Sequence, residues 1–146
     1  MSRRPSGDDG TILLLVLGFA ALLLVLVAVV VDVSAVILAK RGAASAADGA
    51  AIAAAQQLDQ SAVYANGLDE AIPLSPDDVQ HVVAVYAARA AEGQQGLQLT
   101  ADLDATQTTA TVTAVREVTL PFAGWLGVGS VTVTAVAHAR APLVAP

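Results

Sequence analysis

The chain has 146 residues, 55% of them hydrophobic, and no cysteine, which excludes disulfide and thiolate chemistry. Its net charge of −6 is unevenly placed: after Arg41 only Arg89, Arg116 and Arg140 are basic, against ten acidic residues. An acidic region without a basic patch argues against nucleic-acid binding, and the roughly 105 residues after Arg41 suffice for one small domain with a modest core.

Residues 1–10, MSRRPSGDDG, form a short polar tail. From Ile12 to Val31 there is no charged or strongly polar side chain. Twenty helical residues at about 1.5 Å each cover roughly 30 Å, the hydrocarbon thickness of a bilayer. In lipid the backbone must satisfy its own hydrogen bonds, so the run predicts a transmembrane helix over 11–39, interrupted only by Asp32. The run exceeds the 7–15 residues of a signal-peptide core, and the first small-x-small triplet, Ala44-Ser45-Ala46, lies beyond Lys40 and Arg41. An uncleaved anchor is therefore expected. Both flanks carry two basic residues, but the amino terminus and the acidic bulk downstream favour a cytoplasmic tail and an extracytoplasmic C-terminal part.

Residues 40–60 are alanine-rich and predict a helical stalk. Gly42, Ala46, Ala50 and Ala54 recur every four residues, a stripe on which the backbone of a partner helix could approach closely. Plain helix-forming preference of alanine explains the same residues equally well. Gly42 and Gly49 would each weaken a solitary helix by about 1 kcal/mol, which adds to the case for a packing partner.

Asn66-Gly67 signals a turn. Ser75-Pro76-Asp77-Asp78 predicts a helix start, with a capping hydroxyl, a proline in the first turn and two acids at the positive end of the dipole. Val79, Val82, Val83, Tyr86 and Ala90 then give one apolar face, ended by Gly93. The period changes to two at Leu97–Leu103, at Ala110–Leu120 and at Val131–Arg140, with a slip at Val115-Arg116 read as a bulge. The expected fold is α+β and pilin-like: a long transmembrane and stalk helix, then a domain over 61–146 with one helix packed on a three-stranded antiparallel sheet.

Two features stand out as interaction candidates. Asp32 sits where the helix leaves the hydrocarbon; it either meets water there or makes a polar contact with a partner helix. Phe122 and Trp125 lie in the uncharged connection Pro121–Gly129. They either fold back to close the end of a core poor in aromatics, the reading favoured here, or form a docking tip for a protein or a lipid surface. His81 and His138 have no second ligand near in sequence and read as solvated. Asp77-Asp78 and Asp102-x-Asp104 lack the spacing of a calcium loop. No nucleotide-binding glycine loop, hydrolase elbow or zinc signature is present, so neither a cofactor nor a metal is expected.

Three stretches together resemble the TadE/TadG-like proteins of the Tad (Flp) pilus system. They are Gly10-Thr11 leading into the apolar helix, Val31-Asp32-Val33 with Leu38-Ala39-Lys40-Arg41, and Ala46-Ala47-Asp48-Gly49-Ala50-Ala51-Ile52-Ala53-Ala54-Ala55. The strand Val131–Ala139 is more loosely similar. The resemblance implies a single-pass envelope protein of a pilus or secretion apparatus, partnered by other pilus-assembly or pilin-like membrane proteins, and not an enzyme. Family members often carry a von Willebrand factor A domain, for which this chain is too short. Asp32-Val33-Ser34-Ala35-Val36 lacks the last serine of that domain's metal motif. Pilin-like members are cleaved after a glycine with a glutamate five residues on; here those positions are Ile12 and Leu15, so such processing is not expected. Two other readings are a secreted binding domain released near Ala46 and a hydrolase with an unrecognised site.

Overall fold

The computed structural model describes residues 8–61, 64, 72–127 and 129–141. Helix α1 runs without interruption over Asp8–Ala55, and helix α2 over Pro76–Gly93. Strands β1 (Leu97–Leu103), β2 (Thr109–Thr119) and β3 (Ser130–Arg140) form one antiparallel sheet in the order β1-β2-β3. This is the expected α+β arrangement. The turn signal at Asn66-Gly67 lies outside the described residues.

At 48 residues, α1 is about 72 Å long, more than a bilayer needs. Its two halves meet different surroundings. Through the first half the large apolar side chains are bare, Leu15 being 74% and Leu24 72% exposed. From Ala39 onward one face is covered: Ala43, Ala47, Ala50 and Ala54 are wholly buried, and Ala46 nearly so. They pack across β2 and β3 and against α2. The segment 40–60, expected as an alanine-rich helical stalk, packs up to Ala55 on the sheet and second helix. Its small residues do admit a close neighbour, as the stripe requires, but the neighbour is this chain's own sheet and second helix. The cause is geometric: with methyl groups alone on the inner face, a helix can lie close to a sheet without voids. The glycines match single side chains of α2 and its end. A Cβ at Gly49 would strike the Tyr86 ring, with Cζ 2.8 Å away, and one at Gly42 would lie 2.7 Å from Gln94 Oε1.

Helix α2 begins as its sequence dictates. Ser75 Oγ accepts the Asp78 N–H at 3.5 Å, Pro76 opens the first turn, and Asp77 and Asp78 follow. Val79 and Val83 are buried, with Val82, Tyr86 and Ala90 half-buried on the same face. Each buried valine contributes about 1.5–3 kcal/mol. Helix α2 covers β1 while α1 covers β2 and β3, so both helices share one face of the sheet. The other face, bearing Thr113, Thr134 and His138, is left to solvent, as antiparallel sheets allow.

The bulge expected at Val115-Arg116 does not occur. β2 pairs residue for residue with both neighbours, and Ala110, Val112, Ala114, Arg116 and Val118 keep one alternation. Arg116 simply occupies an inward position near the end of the sheet that packs on Val36 and Ala39, where a long stem can lie along apolar surface.

The β1–β2 turn is tied by Asp104. Its Oδ1 accepts the N–H groups of Thr108 and Thr109 at 2.8 and 2.9 Å, and its Oδ2 accepts the Thr106 hydroxyl at 2.5 Å. These bonds, the Thr106 hydroxyl first, hold the Asp104 carboxyl below its ordinary pKa. A depressed folded pKa contributes stability that is fully present above the ordinary aspartate range, near pH 4, and is lost as pH falls through the lowered folded value. Asp104→Asn is therefore expected to flatten the acid limb of a plot of thermal midpoint against pH. An unchanged limb would deny the carboxylate this role.

Candidate interaction site at the base of the domain

β2 runs toward the apolar half of α1, so the β2–β3 connection arrives beside that half. Val118 and Val133 pack on Ala39 and Val36. Leu120 is buried, and its N–H bonds the Gly129 carbonyl at 3.1 Å, closing the loop neck. Beyond it, Ala123–Leu126 form a 3-10 turn capped by Gly127, whose φ of 83° is the left-handed conformation that glycine tolerates.

This loop meets Asp32. The Phe122 N–H donates to Asp32 Oδ1 at 3.1 Å, and Asp32 is only 8% exposed. Asp32 is thus covered by a loop of this same chain. Its partner is a main-chain amide 90 positions away in this chain. A carboxylate accepting an amide hydrogen makes a stronger bond than a neutral acceptor does, and leaving that amide unpaired would cost about 1–3 kcal/mol. Asp32→Leu is expected to leave insertion of the helix intact and to free the Phe122 amide, while Asp32→Asn retains an acceptor. Faster hydrogen exchange at Phe122 in the leucine variant alone would bear this out; equal protection in all three proteins would not.

Phe122 does not close the core. It is 46% exposed. With Ala123 it lines an apolar groove of about 510 Å³ against Leu24, Val25, Ala28 and Val29. Trp125 lies in the 3-10 turn, and its side chain lies outside the described residues. The end of the core that does need closing is the opposite one, and there a leucine does it: Leu74 is wholly buried and bridges to Leu58.

The remaining candidates are dispersed. His81 is exposed, and His138 is an exposed residue on β3 whose Nδ1 shares a hydrogen with Thr111 Oγ1 at 2.9 Å. Asp77, Asp78 and Asp102 are exposed, and among the described residues no three His, Asp or Glu side chains gather as metal ligands would. The sequence could not reveal the bond between Asp32 and Phe122, because a main-chain amide donor leaves no residue-type signature. Its traces are Asp32 itself at the end of the apolar run and the aromatic residues in a loop that would ordinarily be polar.

No curated protein and no solved structure matches the chain. One family model does. Its span runs from the start of the apolar helix to just past the buried alanines, and so covers both the exposed and the covered half of α1. Residues 10–57 match the Flp pilus-assembly TadE/G-like family, Tad, the family their sequence resembles.

Proposed function

We propose that this protein is a single-pass, membrane-anchored structural or assembly component of a Tad-type pilus or related secretion system. Residues 12–31 cross the membrane, the amino terminus is cytoplasmic, and the α+β domain stands outside. It acts by contact with other pilus-assembly or pilin-like membrane proteins and not by catalysis. The observation that carries this reading is the match of residues 10–57 to the Tad family, on a helix long and apolar enough to cross a membrane.

The buried alanine stripe changes where partners can bind. Ala46, Ala50 and Ala54 are occupied by the domain itself, so helix packing with partners falls to the bare apolar half of α1. The open sheet face remains available outside the membrane. Release of a secreted domain near Ala46 fits poorly, because a cut there would divide α1 between the buried residues Ala43 and Ala50. The test is to isolate the tagged full-length protein from cross-linked membranes of its own cells. Recovery with the secretion ATPase or the polytopic platform protein of a Tad system supports the reading. Recovery from the medium as a fragment beginning near residue 46 would replace it with the secreted alternative.

A further inference from the structure

We propose that the β2–β3 connection, Leu120 to Gly127, enters the outer edge of the bilayer beside α1 and holds the domain to the membrane at a second point. This rests on the reading that residues 12–31 span the membrane.

The depth follows from the helix. Phe122 is bonded to Asp32, the first polar residue after the apolar run, and with Ala123 it lines a groove whose other wall reaches Leu24. Eight residues separate Leu24 from Asp32, about 12 Å along the helix axis. The groove is therefore continuous with the very surface of α1 that lipid would cover. If Leu24–Val29 lie in hydrocarbon, Phe122 and Ala123 share that medium.

The chemistry of the segment suits it. Between Glu117 and His138 the sequence has no ionisable side chain. Backbone groups in lipid need internal partners, and several at this tip have them. The Phe122 N–H goes to Asp32, Pro121 has no N–H, and the Gly127 N–H goes to the carbonyls of Ala123 and Gly124. Lys40 and Arg41 are exposed some 12 Å further along the helix, within reach of lipid phosphates. Lipid acyl chains are thus the occupant of this apolar surface, with Asp32 as the residue that positions the loop.

The chain has no cysteine, so Gly124→Cys introduces a single thiol. A Cβ at Gly124 meets nothing within 4 Å, and the same is true of Gly93 at the end of α2, which serves as the control. Each full-length variant carries a nitroxide label and is placed in phosphatidylcholine vesicles. Collision rates are measured with oxygen, which concentrates in the bilayer, and with a neutral nickel chelate, which stays in water. Position 124 should favour oxygen and position 93 nickel. A label at 124 that favours nickel as 93 does, or is shielded from both reagents, overturns the proposal if the protein resists alkaline extraction. Release of the protein by alkaline extraction would instead overturn the spanning reading and this proposal with it. In the unmodified protein Trp125, the single tryptophan, should be quenched by brominated acyl chains, so disturbance of the turn by a label cannot rescue a failed proposal.

Discussion

Leu74→Ala is expected to lower the stability of the domain by about 2–5 kcal/mol, the range for removing a buried leucine from a core. Leu74 has no exposed surface, and it is one of the largest wholly buried side chains in the molecule. Its main chain is also fixed, its N–H donating to the Gln107 carbonyl at 2.6 Å while the flanking Ser75 N–H bonds the Gln57 carbonyl at 2.9 Å. The surrounding backbone therefore cannot readily collapse into the space left behind, which places the cost toward the upper part of the range. For a domain of roughly 100 residues each kcal/mol moves the thermal midpoint by about 4–8 °C. Full-length protein in detergent should accordingly melt at least about 8 °C lower. Val136→Ala is the control, because Val136 is 53% exposed on the open sheet face and should stay within about 0.5 kcal/mol. Equal midpoints for the two variants would mean that Leu74 does not close the core.

Ala50→Leu should damage the domain by a different route. Ala50 is wholly buried in the core where α1 meets the sheet and α2. A leucine there must push the helix off the sheet, and overpacking of this kind costs about 1–3 kcal/mol and occasionally more. The neighbouring Gly49 already stands against the Tyr86 ring, so the helix has no room to roll away on that side. Asp48→Leu adds similar bulk on the exposed face and should be nearly neutral. A marked drop in thermal midpoint for Ala50→Leu alone is the expected result. If both variants melted like the unaltered protein and only association with other membrane proteins suffered, the stripe would be a partner surface after all.

The contrast between these residues shows what the sequence could and could not convey. Period and capping chemistry are local, so α2 and the three strands were legible from Ser75-Pro76, the Val79–Ala90 spacing and the alternation of threonine with apolar residues. The length of the apolar run was equally plain. Alanine, however, marks closeness without naming the neighbour. Gly42, Ala46, Ala50 and Ala54 ask for a nearby backbone, and the answer depends on where strands 50 to 90 residues later return. The same holds for Asp32, whose amide partner is distant in the chain. Arg116 misled in the opposite sense. A charged residue at an inward position resembles a break in alternation, yet the pairing continues unchanged through it.

The alanine half of α1 as the core of the domain and its apolar half as the membrane span make one testable whole. Hydrogen exchange of the full-length protein in phosphatidylcholine nanodiscs addresses both at once. Amides from residue 12 through Ala55 should be protected without a gap, those at 43–54 as strongly as those of β2. Protection that ends near Lys40 and returns only in the strands would show a solvent-bathed stalk, and would contradict a helix shared between membrane and domain.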